Sequence, residues 1–491
     1  MSGVRMRRRS GSIITGSPIP RGIARGYDRP MSASKARKPA RDQWSSPGMF
    51  VLASAGFVIG LKNIWLFPNH LALYGGSAFL AVYLAFLLLL GVPLMMTQIA
   101  LGRLARGKSP VQSIATLARR AQTPLYWRWL GAISVLAGFL VWSYYNVVAG
   151  WILAYTARVI SGSLDGLTTE TAAGLFTSLV RDPEKQLFWH SLFVVATVLV
   201  LVPGVRQGLE RAVRYAVPLI FLLLFLLVGY ATSTGSFLPA LEYFLRIDFS
   251  QLGTDGLLVA LGDSFFSLGL GMGTFMMYGA YLNSSGPVLR LALYVVLADL
   301  LAGILAALAI FPVLFAGSEL SASGPAMVFQ ALAVAFDGLT LGQTMRLLLF
   351  VMLILVAWVS TIGLAEPVLV WLMQLRQWSR AKAALWVGVA VWAVGVVAIL
   401  SLHPWAFTFT IFDITRTLGF FDVLVTVTSI VLLPLVGLGC AVFAGWHLRS
   451  ETLRDVLVID SPCVQDVWLW MNRLVIPAMI VLLLSGIHLF L

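Results

Sequence analysis

Few ionisable or amide side chains lie inside apolar runs of this chain. Lys62 and Asn63 follow Ser54-Ala55-Gly56-Phe57-Val58-Ile59-Gly60-Leu61 and precede Pro68. A second run reads Asp263-Ser264-Phe265-Phe266-Ser267-Leu268-Gly269-Leu270-Gly271-Met272-Gly273, and Asp299 lies in a third. A carboxylate within a membrane span is costly and marks function by default. The bland alternatives are a structural ion pair or a neutral acid for Asp299, and helix–helix hydrogen bonding for Asn63 and Ser267. Catalysis finds no support: there is no nucleophile–base set, metal-ligand spacing or phosphate loop. The five histidines, His70, His190, His403, His447 and His488, are scattered and read as structural or interfacial. Cys440 and Cys463 alone make neither a disulfide framework nor a metal site.

The elements that carry these residues follow from composition. Of 491 residues, 59% are apolar and 11% charged, against about 45–50% and about 25% in a soluble domain. Mean hydropathy is +0.89. A soluble enzyme and a disordered chain are excluded. Continuous apolar runs also disfavour a membrane β-barrel, whose strands alternate. Eleven helical spans are predicted at roughly 47–70, 77–101, 129–157, 188–204, 212–232, 256–281, 288–315, 345–373, 382–402, 411–447 and 467–490.

The first and sixth spans hold the glycine clusters. Glycine inside a helix costs about 1 kcal/mol against alanine, so the clusters mark weak points; close packing through small residues is the competing reading. Breaks five spans apart are the signature of an inverted repeat with a midplane binding site at two unwound helices. The implied organisation is a first repeat over 44–232, an inverted second repeat over 256–447 and an extra C-terminal span at 467–490.

Charge sets the orientation. Net charge is +13, and residues 1–41 hold eleven Lys/Arg against Asp28 alone. Residues 1–43 read as a basic, disordered cytoplasmic tail attracted to anionic lipid rather than to nucleic acid. No short apolar segment with a cleavage site precedes the first span, so a cleaved signal peptide is not expected. Arg103, Arg106, Lys108, Arg119, Arg120 and Arg128 follow span two, Arg206 and Arg211 follow span four, and Arg376, Arg380 and Lys382 follow span eight. These loops should be cytoplasmic, with the N-terminus inside and the C-terminus outside. The expected location is the plasma (inner) membrane.

From residue 44 to about 490 the chain resembles the neurotransmitter:sodium symporter family. The resemblance rests on Trp44, Ser54-Ala55-Gly56, Gly60-Leu61, Asn63-Ile64-Trp65, Phe67-Pro68, Gly75-Gly76-Ser77-Ala78-Phe79, Gly91-Val92-Pro93-Leu94 and Leu101-Gly102-Arg103. It continues through Tyr144-Tyr145, Trp151, Gly208-Leu209-Glu210-Arg211, Pro218, the Phe-Phe-Ser…Gly-x-Gly break, Tyr281, Asp299, Ile310-Phe311-Pro312, Glu366-Pro367, Pro434 and Gly445-Trp446. It implies import of one amino acid or amine with sodium by alternating access.

The resemblance assigns the site residue by residue. A first sodium site would use Asn63, Ser267, Asp299 and the Val58 carbonyl, and oxygen ligands suit a hard cation. A second would use carbonyls of Gly56, Ile59 and Val356 plus two adjacent hydroxyls. Those positions are Val359 and Ser360; an isopropyl group cannot ligate, so this site should be impaired or absent. Thr361 is turned about 100° away on a helix. Substrate would meet Val58, Leu61, Lys62, Val141, Tyr145, Phe266, Ser267, Met272, Ser360 and Leu364, in a pocket suited to a hydrophobic or aromatic amino acid. Gly269 and Phe57 replace more polar family residues.

Lys62 stands where the family has glycine. Its ammonium replaces a missing cation, pairs with an acid (Asp263 first), contacts an acidic substrate, or snorkels to water. The outer gate loses both charges together, to Leu66 and Val425; on the inner side Arg41 matches the gating arginine, its partner position is Gln374, and Tyr281 is kept.

The expected protein is therefore an all-α inverted-repeat transporter, not an enzyme. Its cargo is a small neutral amino acid with sodium as coupling ion, and no other cofactor is expected. The rivals are a sodium-independent or proton-coupled carrier using Lys62, and a non-transporting receptor or scaffold on the same fold.

Overall fold

In the computed structural model, residues 43–282, 286–316, 327–402, 407–411, 414–459 and 461–486 are described. Arg41 and the rest of the basic tail lie outside them, as do His403 and His488.

The chain folds as helices because its apolar runs leave no other way to satisfy backbone groups in lipid. The helices are α1 (Pro47–Val58), α2 (Lys62–Leu73), α3 (Ser77–Ala105), α4 (Pro110–Arg120), α5 (Leu125–Ile160), α6 (Thr169–Val180), α7 (Pro183–Leu201) and α8 (Val205–Ala231). They continue as α9 (Phe237–Leu245), α10 (Gly253–Ser267), α11 (Thr274–Ala280), α12 (Val288–Ala316), α13 (Gly342–Arg376), α14 (Arg380–Ser401), α15 (Phe420–His447), α16 (Ser450–Leu457) and α17 (Pro462–Ser485). Among the described residues, nine helices are long and apolar enough to cross a bilayer, and the bent pair α1–α2 makes a tenth. The predicted span 256–281 corresponds to α10 and α11, of 15 and 7 residues, too short to qualify singly.

The predicted tenth span, 411–447, begins too early. Phe407–Ile411 and Ile414–Leu418 form an antiparallel hairpin, β1 and β2, and α15 starts only at Phe420. The Thr-rich run around Arg416 favours strand over helix, and the Asp422 carboxylate accepts the Gly419 N–H at 2.9 Å to cap the helix start. This hairpin is an addition to an otherwise helical body.

Packing centres on the interrupted helices. α1 lies against α8, α12 and α13, α13 runs along α5, and α2 packs on α12. α11 lies against α3 so closely that a Cβ at Gly102 would sit 1.8 Å from the Met276 carbonyl oxygen. The two breaks are thus surrounded by continuous helices.

Candidate functional site

The first break spans Ile59 to Leu61, where Ile59 leaves helical geometry (φ −65°, ψ 90°). α2 departs from the α1 axis by 61°. Helix ends leave N–H groups that need partners. Gly60 N–H donates to Asn63 Oδ1 at 3.4 Å and Leu61 N–H to the Tyr145 hydroxyl at 3.1 Å. The second break runs from Leu268 to Gly273. Gly269, Gly271 and Gly273 have φ of +59°, +90° and +77°, a region that side-chain-bearing residues avoid. At Gly271 a Cβ would also meet the Leu433 carbonyl oxygen at 2.7 Å.

Between the breaks lies the buried carboxylate of Asp299. Asn63 Nδ2 donates to its Oδ1 at 2.8 Å, Ser267 Oγ donates to its Oδ2 at 2.5 Å, and the Tyr83 hydroxyl approaches Oδ2 at 3.5 Å. Three of the expected sodium ligands are therefore brought together from α2, α10 and α12. Val58 lies on the wall of the adjoining cavity. Tyr83, on α3, was not among the sequence candidates.

At the second expected ion position the side chains contact one another and the α1 backbone. Ser360 Oγ donates to the Ile59 carbonyl at 3.2 Å. The Val359 isopropyl group packs on Gly56, 3.5 Å from where a Cβ would be, and Val217 lies on the same position at 2.8 Å. Val356 is fully buried. Thr361 turns elsewhere, its hydroxyl donating to the Trp358 carbonyl at 2.9 Å.

Lys62 is paired. Its ammonium lies 3.9 Å from Asp263 Oδ1 and 4.7 Å over the centre of the Phe266 ring. Asp263 Oδ2 meets His70 Nδ1 at 2.5 Å. Of the readings offered for Lys62, the ion pair with Asp263 is the one this geometry matches. With 38% of its side chain accessible, Lys62 still borders open space. His70 was passed over as one of five scattered histidines.

A cavity of about 400 Å3 adjoins both breaks. Every residue expected to meet substrate lines it: Val58, Leu61, Lys62, Val141, Tyr145, Phe266, Ser267, Met272, Ser360 and Leu364. Leu66 and Val425, the apolar outer-gate positions, line it too. The sequence did not identify Phe421, Thr426, Ser429 and Ile430 of α15, which also line it. Residues Val427–Leu432 form a π-helical turn, which shifts the face presented to the cavity and breaks the regular period a sequence reading relies on.

Around Tyr281, expected at the inner gate, the partners differ from those expected. Its hydroxyl donates to Glu366 Oε1 at 2.6 Å, and Arg380 reaches both oxygens of the same carboxylate at 3.0 and 2.6 Å. The Trp44 N–H donates to the Tyr281 carbonyl at 3.2 Å. Gln374 is engaged by the 107–109 loop instead: it accepts the Ser109 N–H at 2.9 Å and donates to the Gly107 carbonyl at 3.0 Å.

Comparison with known proteins agrees with this architecture. The model of the sodium:neurotransmitter symporter family matches residues 41–171 and 184–490. The chain is 30% identical over 445 residues to the uncharacterized sodium-dependent transporter YhdH of Bacillus subtilis, covering 90% of this chain and 96% of that one. An uncharacterized sodium-dependent transporter of Haemophilus influenzae is 27% identical over 449 residues, covering 90% and 97%. The crystal structure of MhsT in complex with L-phenylalanine matches with a TM-score of 0.81 at 33% identity, over 91% of this chain and all of that one. With its breaks between α1 and α2 and between α10 and α11, its buried carboxylate between them and a family match over most of its length, the chain belongs to the sodium:neurotransmitter symporter family.

Proposed function

We propose that the protein moves a small neutral, apolar amino acid across the plasma membrane by alternating access, coupled to sodium at one site. The observation that carries this reading is the buried Asp299 carboxylate, held by Asn63 and Ser267 at the two helix breaks and beside an apolar cavity. A carboxylate, an amide and a hydroxyl offer the hard oxygen donors sodium needs, with the Val58 carbonyl completing the set. Sodium there would neutralise Asp299 and sit close to the carboxylate of an amino acid.

The cavity chemistry supports the substrate class. The N-terminus of α2 and the Tyr145 hydroxyl would take the substrate carboxylate, because a helix N-terminus favours negative charge. Carbonyls of Val58, Phe266 and Ser267 would receive the amine. Val141, Phe266, Met272 and Leu364 would enclose an apolar side chain, with Met272 adaptable in shape. MhsT, a structural relative, was crystallised with L-phenylalanine, which makes that amino acid the first probe. The closed geometry at Gly56 and Val359 argues for a single sodium.

In this reading α1–α2 and α10–α11 rock together, hinged at their breaks, as parts of an inverted repeat. The N-terminus lies inside, and the basic tail contacts anionic lipid. Leu66 and Val425 close the outer side by apolar contact, and the Tyr281–Glu366–Arg380 group closes the inner side. Equilibrium binding of radiolabelled L-phenylalanine tests the site. Sodium should raise binding in the native protein and leave the folded Asp299→Ala variant unaffected; sodium-dependent binding that survives in this variant would remove Asp299 from the site.

A further inference from the structure

Lys62 stands between two carboxylates. Its ammonium pairs with Asp263 at 3.9 Å, while a second small cavity is lined jointly by Lys62, Asp263, Ser267 and Asp299. The ammonium and Asp299 share that cavity wall, and Lys62 is the chain neighbour of Asn63, whose amide already touches that carboxylate. A lysine ammonium is a point charge on a flexible four-carbon stem, so its direction depends on what holds it.

Asp263 is held in turn. An ionised carboxylate only accepts hydrogen bonds, so with Asp263 ionised His70 donates from Nδ1 across the 2.5 Å contact. The His70 ring is packed by Tyr74 and Phe79, with centroids 6.0 and 6.1 Å away. One oxygen of Asp263 is thereby fixed by a wedged imidazole and the other is left for Lys62.

We infer that Asp263, oriented by His70, is a positioning residue for ion selectivity: it holds the Lys62 ammonium aside, so that sodium rather than lysine neutralises Asp299. The inference rests on the sodium-site reading above. Its physical basis is that two unit cations beside one carboxylate repel each other, most strongly away from bulk water. The lysine is therefore a tethered competitor of sodium, and the Asp263–His70 pair restrains it.

Binding of radiolabelled sodium to the purified full-length protein tests this without knowledge of the substrate. Asp263→Asn preserves shape and frees Lys62; the sodium concentration for half-saturation should rise about tenfold or more, equivalent to about 1.4 kcal/mol. Adding Lys62→Met should restore the native value, which a merely structural role for Asp263 would not do. His70→Ala should give a smaller rise, rescued by the same Lys62→Met change, and serves if Asp263→Asn does not fold. An unchanged half-saturation in Asp263→Asn, or a defect that persists in the Asp263→Asn/Lys62→Met double variant, overturns the inference. Asp299→Asn, run in parallel, separates the two claims. If it abolishes sodium binding while Asp263→Asn has no effect, only the restraint fails. If the native protein binds no sodium, both fail.

Discussion

Phe57 brings bulk to a position where the resemblance led us to expect a polar side chain, and two glycines make room for it. A Cβ at Gly269 would lie 2.6 Å from Phe57 Cζ, and one at Gly363 would lie 2.6 Å from Phe57 Cδ2. The ring packs on Phe275 with centroids 5.7 Å apart, so it forms an apolar wall of the cavity. Both the Phe57 and the Gly269 departures were readable as substitutions, but their compensation was not, because it depends on contact across two helices. Gly269→Ser should cost about 1–3 kcal/mol of stability, from overpacking and from a φ of +59°. Thermal unfolding should show part of that loss recovered when Phe57→Ala is added; an unperturbed Gly269→Ser variant would refute the steric account. Asn63, Ser267 and Asp299 were legible because each is a polar type inside an apolar run. His70 was not, since its partner Asp263 lies 193 positions away and a lone histidine carries no local signature.

Among the elements, helix existence was the legible part, and the irregular turns were the illegible part. The glycines at 269, 271 and 273 predicted the second break, because positive φ leaves few other residue types. The π-helical turn at Val427–Leu432 had no such marker, and so the contribution of α15 to the cavity went unseen. Ile411 and the strand Ile414–Leu418 fell inside the predicted span 411–447, their Thr content outweighed by the apolar run, while residues 407–410 lay before it. Beside Tyr281, α13 and α14 are joined through Glu366, whose side chain is fully buried, and Arg380. Breaking a buried pair leaves an unpaired charge and costs about 3–5 kcal/mol, whereas removing both partners is far cheaper. Glu366→Gln should therefore lower the unfolding temperature more than the Glu366→Gln/Arg380→Met double variant does. Equal or larger loss in the double variant would show that the pair is not what joins these helices.

For the molecule as a whole, composition led to a multi-pass helical membrane protein and the resemblance to a transporter, and the family match over residues 41–171 and 184–490 agrees. Coupling is harder to read, because it depends on which cation sits near Asp299. Val359 packs on Gly56 and the Ser360 hydroxyl is bonded to Ile59, and the lysine at the break is paired with Asp263. On the proposed reading, coupling then rests on the Asp299 site. The most direct measurement is uptake of radiolabelled L-phenylalanine into proteoliposomes holding the purified protein, with sodium, potassium or choline outside. The account predicts accumulation above equilibrium only under an inward sodium gradient, collapsing when sodium is equalised across the membrane. Uptake equal in all three salts would contradict sodium coupling and move the coupling role to Lys62; saturable binding with no uptake in any salt would contradict transport itself.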